Sequence, residues 1–308
     1  MWDCPFMGLS HILILIRGDS PIKGQSPVLI TKDKMSDCNH DCSNCSKNCG
    51  SRTEPQSLLV PQNEASHIKK VIGIVSGKGG VGKSMVTSLL ACAMNRAGKN
   101  VALMDADVTG PSIPKMFGLN ERAVADDKYM YPAETVGGIK VMSLNQLVEN
   151  ETDPVIWRGP VVAGLIQQFW KDVKWGDVDF MFIDMPPGTG DVPLTVFQSI
   201  KLDGIIIAAT PQELVSMIVS KAVNMAKMMN VPIIGIVENM SYLKCPHCGE
   251  EIEIFGKSHT AEAAMENHIP MLDRIPLDPQ MAALSDAGKI EQADTSVLEN
   301  TIQRILSM

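Results

Sequence analysis

The chain predicts an α/β fold, a doubly wound and mainly parallel sheet of the P-loop type. Three observations carry that prediction. Short apolar, β-branched runs recur at 71–75, 100–104, 180–183, 204–209 and 231–237, each bounded by polar or glycine punctuation as buried strands are. Stretches with helical periodicity, such as 84–97 and 214–229, alternate with them, and that alternation builds parallel strands joined by helical crossovers. After the first run comes Gly77-Lys78-Gly79-Gly80-Val81-Gly82-Lys83-Ser84, the pattern G-x-x-x-x-G-K-[ST], sited where a strand turns into a helix.

Taken in order, the chain divides into an N-terminal extension and Cys-rich arm at 1–66 and a P-loop nucleotide-binding domain at 67–308. The first 34 residues are apolar and proline-punctuated, and Met35 stands just before the cysteines. Two readings stay open: translation starting at Met35, leaving 1–34 untranslated, or a genuine extension. Cys38, Cys42, Cys45 and Cys49 form a C-x3-C-x2-C-x3-C run in a polar stretch. Four thiolates so close can fill one tetrahedral zinc or one cubane iron–sulfur site. Iron–sulfur, zinc and no stable metal all remain open there.

The loop at 77–84 supplies phosphate chemistry. Its glycines let backbone N–H groups converge on phosphate oxygens, helped by the positive end of the helix that follows. Lys83 is placed to neutralise the β- and γ-phosphates, and the Ser84 hydroxyl to ligate Mg²⁺. Strand ends add carboxylates: Asp105, with Asp107 two residues on, and Asp184. Ligands of such sheets bind at those carboxyl ends. In the first helix Cys92 reads as a small core residue. Met217, Met225, Met228 and Met229 read as core packing on a later helix. Asn239 follows the strand at 231–237, where a turn or cap role is also open.

Cys245-Pro246-His247-Cys248-Gly249 is a two-thiolate knuckle, with Glu251 to Ile254 continuing it as a small excursion from the sheet. Zinc or a cubane cluster needs four ligands, so one pair is half a site. A two-fold dimer would complete it. By residue pattern alone, zinc and iron–sulfur both fit.

Composition narrows the partners. The 308 residues carry a net charge of −8 with an isoelectric point near 5.3, which disfavours a nonspecific nucleic-acid grip. No run approaches the roughly 20 apolar residues of a membrane helix. The amphipathic segment from Ser296 to Leu306 has only Arg304 as a cation, so it lacks the basic face of a membrane-targeting tail. A cytoplasmic protein with reduced thiols is expected, binding neither nucleic acid nor membrane.

Several strings together closely resemble the Mrp/NBP family of iron–sulfur cluster carrier ATPases, within the MinD/ParA-like group whose phosphate loop reads KGGVGKS. They are Gly77 to Ser84, Asp105 to Ser112, Trp157-Arg158-Gly159-Pro160, Asp184 to Asp191, Val237 to Ser241 and the CPHCG knuckle. The likeness runs from about Ile68 to the C-terminus. It implies an ATPase working as a homodimer with ATP sandwiched between subunits, Lys78 acting in trans. It implies Asp184 as the carboxylate that holds Mg²⁺ through water, Gly188 as the γ-phosphate sensor and Asp107 as the residue orienting the attacking water. Asp105 would stand in the Mg²⁺ shell and Asn239 against adenine. A [4Fe–4S] cluster bridged by Cys245 and Cys248 of two subunits, handed to apo iron–sulfur proteins, is the implied cargo. Some relatives also carry an N-terminal four-cysteine cluster site, though with longer spacing than Cys38 to Cys49. The rival class is a zinc-bearing switch ATPase of the MinD or ParA type, acting by binding a partner or surface.

Overall fold

The computed structural model describes residues 58–107, 110, 112–147, 159–212 and 215–308. Cys38, Cys42, Cys45 and Cys49 lie outside them, as do Val108, Thr109, Trp157 and Arg158. In chain order the elements are β1 (Ser66–Val75), α1 (Lys83–Arg96), β2 (Val101–Asp105), α2 (Ile113–Met116), β3 (Val124–Ala125) and β4 (Met130–Tyr131). Next come β5 (Ala133–Glu134), β6 (Lys140–Ser143), α3 (Gly159–Lys171), β7 (Gly176–Asp184), α4 (Asp191–Ser199), β8 (Gly204–Ala209) and α5 (Val215–Met228). The rest are β9 (Ile233–Glu238), β10 (Leu243–Lys244), β11 (Glu251–Ile252), α6 (Thr260–Glu266), β12 (Met271–Arg274), α7 (Pro279–Asp286) and α8 (Glu299–Leu306).

Eight strands form one sheet in the order β12-β9-β8-β1-β7-β2-β6-β5. Every pairing is parallel except β5 with β6. The expected doubly wound sheet is therefore present. Both of its faces are buried, and β1 shows why its sequence is apolar without alternation. Val71 and Val75 pack into the core layer that also receives α3, α4 and α5, while Ile72 and Ile74 pack into the layer of α1, α7 and α8. A strand covered on both sides has no solvent face to make polar.

The first strand is longer than its apolar run. Ser66 to Lys70 continue β1 in register with β7, Ser66 opposite Gly176 and Lys70 opposite Phe180. Cross-strand charges stabilise this polar half: Lys69 Nζ lies 2.7 Å from Asp179 Oδ1 and Lys70 Nζ 3.2 Å from Asp203 Oδ1. Hydrophobicity alone registers only the half inside the core.

Methionine packing departs from expectation on α5. Met225 is buried and Met229, just past the helix, packs against the same core, yet Met217 and Met228 face solvent. They lie on the side of the helix turned away from the sheet. Cys92 is buried as expected, and burial pushes its thiol up to about 12, so it stays a neutral core residue.

The C-terminal segment starts as a 3₁₀ turn at Ser296–Leu298 and becomes α8 at Glu299. Its first turn is tied to the sheet by Asp273 of β12, which accepts from Asn300 Nδ2 at 2.8 Å, the Thr301 N–H at 2.7 Å and the Thr301 hydroxyl at 2.6 Å. An acid at a helix N-terminus meets both unpaired N–H groups and the positive end of the dipole. Asp273→Ala is expected to lose about 2–4 kcal/mol of stability, because three donors lose a charged acceptor in a mostly buried setting. Urea denaturation of variant and parent checks this.

Candidate functional site

One row of the sheet builds the site. Register places Ile74 of β1 opposite Asp184 of β7, Asp184 opposite Asp105 of β2, and Asp105 opposite Ser143 of β6. All four stand at the carboxyl ends of neighbouring parallel strands. After β7 the chain crosses to the other side of β1, where β8 pairs. Reversal of winding opens a crevice at this end of the sheet.

The loop from β1 to α1 covers that crevice. Gly80 and Gly82 have φ of 77° and 73°, the left-handed region where a Cβ is strained. Gly82 is doubly constrained, since a Cβ there would lie 2.2 Å from Asn239 Nδ2. That amide instead donates to the Val81 carbonyl at 3.0 Å, pinning the loop to the end of β9. Gly77 is closed by another element: an added Cβ would meet Ile218 Cγ2 at 2.0 Å. Behind the loop, the Gly188 N–H donates to the Ser76 carbonyl at 2.8 Å and the Ser76 hydroxyl to the Lys78 carbonyl at 3.1 Å.

Lys83 opens α1 and is almost wholly buried, its Nζ 2.7 Å from Asp184 Oδ1 and 3.5 Å from Asp107 Oδ2. Both contacts are ion pairs, and no hydrogen bond within the described residues satisfies the ammonium. Buried donors are almost always satisfied, so an ammonium with three N–H groups has capacity left for an anionic oxygen. Asp184 is fully buried and accepts from the Ser84 hydroxyl at 2.5 Å and the Thr87 hydroxyl at 2.8 Å. Ser84 and Thr87 are three apart and share one helix face. That spacing was the available signal for Thr87, which motif reading passes over.

Asp105 sits behind this group. It accepts from the Ser143 hydroxyl at 3.0 Å and from the Asp107 N–H at 3.1 Å. Burial, and then the charge of neighbouring Asp184, push its carboxyl up to about 8. Ser143 comes from a four-residue strand too short to stand out in sequence.

A cavity of about 350 Å³ lies over the loop, lined on one wall by Lys78 to Ser84 and Asp107 and on the other by Asn239, Met240, Pro276 and Leu277. Its size suits a small-molecule ligand. The glycine cradle and the Lys83 ammonium at its floor fit a polyphosphate chain. The sequence-predicted residues Gly77 to Ser84, Asp105, Asp107, Asp184, Gly188 and Asn239 thus gather at one end of the sheet.

Cys245 and Cys248 do not line that cavity. They sit in a separate hairpin, β10 with β11, outside the main sheet. The turn is closed by Cys245 N–H to the Glu250 carbonyl and Gly249 N–H to the Cys245 carbonyl, both 2.9 Å, with Gly249 at φ 76°. Cys248 is exposed and Cys245 half-buried. Backbone N–H groups of Cys248 and then His247 aim at the Cys245 sulfur and hold its thiol below the usual range. Among the described residues, no third Cys, His or carboxylate joins them in a group able to hold a metal.

Burial of Asp105 sets a pH dependence whose sign follows from linkage. Its folded pKa lies above the unfolded value near about 4, so the folded state keeps a proton that the unfolded chain releases. Its contribution is full below about pH 4 and is lost as pH rises through about 8. Asp105→Asn, neutral at every pH, should therefore gain stability relative to the parent as pH climbs across that window. Paired denaturation curves at pH 5 and pH 8 test it, and a constant difference would contradict the assignment.

Comparison with known proteins agrees with this architecture. Residues 67–308 match the family model described as "ParA: NUBPL iron-transfer P-loop NTPase". An "Iron-sulfur cluster carrier protein" of Methanocaldococcus jannaschii is 48% identical over 262 residues, covering 82% of this chain and 90% of that one. Among solved structures, a nucleotide-binding protein from Archaeoglobus fulgidus in complex with ADP superposes with a TM-score of 0.67 at 43% identity, over 74% of this chain and 89% of that one. The MinC:MinD cell division complex of Aquifex aeolicus shares the fold, with a TM-score of 0.55 at 18% identity over 78% and 96% of the two chains. With a match spanning the sheet, the phosphate loop and the cysteine hairpin, the chain belongs to the NUBPL iron-transfer P-loop NTPase family.

Proposed function

We propose that this protein is an ATP-hydrolysing iron–sulfur cluster carrier that holds a [4Fe–4S] cluster between two copies of itself and passes it to apoproteins. The observation that carries this reading is the cysteine hairpin. It presents two accessible thiols, one already biased toward thiolate, with no further ligand beside them among the described residues. A cubane cluster needs four thiolates, and a two-fold partner offers the missing two. The designation of the archaeal relative as a cluster carrier, at 48% identity, supports the cargo.

In this reading the loop N–H groups and Lys83 bind the β- and γ-phosphates of ATP. Ser84 and, through water, Asp184 would hold Mg²⁺, with Asp105 in the same shell. Asp107, 3.5 Å from Lys83, orients the water that attacks the γ-phosphorus. The bond to the bridging oxygen breaks, and ADP and inorganic phosphate leave. Gly188 follows the γ-phosphate and Lys78 reaches the partner's nucleotide, while Asn239 meets the adenine. Domain 67–308 does this work. The arm at 1–66, with Cys38, Cys42, Cys45 and Cys49, offers a second cluster site. The protein acts in the cytoplasm as a homodimer, without nucleic acid or membrane. No helix among the described residues is long and apolar enough to cross a membrane.

Anaerobic reconstitution with iron and sulfide tests the proposal. The chain lacking the N-terminal arm should bind about four irons per dimer, and Cys245→Ala should abolish this while leaving nucleotide binding intact. Stoichiometric zinc with no transferable iron would overturn the reading in favour of a switch ATPase, and a cluster held through these thiols by a monomer would overturn the shared site.

A further inference from the structure

The nucleotide cavity and the cysteine hairpin are joined by a polar network that neither site requires for its own chemistry. At the end of β9, Glu238 is fully buried and accepts from the hydroxyls of Ser241 and Ser258. Arg274, the last residue of β12, lies across them. Its Nε donates to Ser241 Oγ at 2.8 Å and stands 3.9 Å from Glu238 Oε1. Its Nη1 donates to Glu251 Oε2 at 3.4 Å, and its guanidinium lies 4.9 Å from the Tyr242 ring centre. Glu251 belongs to β11, opposite Lys244, the residue before Cys245. One guanidinium therefore grips the end of the central sheet with one edge and the cysteine hairpin with the other.

The other end of this network is the cavity wall. Glu238 precedes Asn239, whose amide holds the phosphate loop. Met240 follows in the left-handed region at φ 54°, a conformation that costs a non-glycine residue free energy and marks a segment held by its surroundings. Residues 238–242 are laced to 275–277: Ile275 N–H to the Glu238 carbonyl at 2.8 Å, Ser241 N–H to the Ile275 carbonyl at 2.9 Å, and Leu277 N–H to the Tyr242 carbonyl at 2.7 Å. Met240, Pro276 and Leu277 line the cavity, while Ser241 and Tyr242 of the same segment contact Arg274, whose Nη1 reaches Glu251 of the hairpin. Both segments thus border the space a ligand would fill, and β10 begins directly after Tyr242.

We propose that Arg274 is a positioning residue that transmits nucleotide occupancy to the cysteine pair, by bridging the strained Glu238–Ser241 turn to Glu251 of the hairpin. The inference rests on the hairpin being the cargo site proposed above. Its physical content is a two-sided grip: a displacement of the 238–242 segment moves Ser241, and the planar fork of arginine carries that displacement to Glu251. Coupling of this kind needs a differential interaction of the ligand with two arrangements of one element.

The test labels Cys245 and Cys248 with a thiol alkylator and maps the sites by mass spectrometry, on the full chain without a cluster, with and without a non-hydrolysable ATP analogue and Mg²⁺. In the parent, nucleotide should change the labelling rate by about fivefold or more, the lower end of ordinary coupling. Arg274→Gln and Glu251→Gln should each bring that ratio close to one, with nucleotide affinity retained. Glu251 is exposed, so its variant carries the test should the Arg274 variant fold poorly. If both variants keep the parental ratio, or label faster by equal factors in both states as a merely loosened hairpin would, the proposal fails. A parent that shows no nucleotide effect overturns it too. Because no cluster is present in the assay, failure of iron reconstitution would remove the cargo assignment while leaving this coupling to stand or fall separately.

Discussion

The buried contact between Lys83 and Asp184 is the constraint around which the rest is arranged. Both side chains are withdrawn from water almost completely, and charges in that setting are costly unless their partners are held in place. The partners come from two elements. Asp184 ends β7, while Lys83 and Ser84 open α1 and Thr87 stands one turn further along it, the two hydroxyls donating to Asp184. Removing Lys83 would leave Asp184 with hydroxyl donors and no cation beside it, a loss of about 3–5 kcal/mol in comparable pairs. The pair leaves hydrogen-bonding capacity on the ammonium, so the fold holds a cation at the cavity floor.

That arrangement depends on the sheet being parallel and covered on both faces. Parallel register delivers Ile74, Asp184, Asp105 and Ser143 to one row at one edge of the core, and helices on both faces exclude water from all but the open end. The same burial that isolates the Lys83–Asp184 contact raises Asp105. That shift comes from the surroundings of the carboxyl and not from its own chemistry.

Much of this is legible in the sequence because the phosphate loop fixes backbone and side-chain roles within a few residues. The strand at 204–209 coincides with its apolar run, and Asp105 and Asp184 end their strands where the runs stop. What escapes is what depends on pairing. The polar half of β1 is a strand because β7 supplies Asp179 and register, which no local pattern reveals. Ser143 matters through the strand beside it, and Arg274 through residues 33 and 23 positions away in the chain. Exposure of Met217 and Met228 had a signal in their spacing, since they share one face of α5 with the exposed Lys221 and Asn224.

The cysteine hairpin poses a different physical problem. Strands of two residues each cannot stabilise themselves, since an isolated hairpin is marginal even when longer. Backbone hydrogen bonds around the knuckle fix the turn and gather N–H groups on the Cys245 sulfur, but they do not fix the hairpin to the body of the protein. Lacing of 238–242 to 275–277 and the fork of Arg274 do. An element so small, held at its base through a segment that also lines the nucleotide cavity, has few ways to move independently of that cavity. Placing two thiols on such an element, rather than on a strand of the main sheet, keeps Cys248 exposed while tying the pair to a segment that lines the cavity.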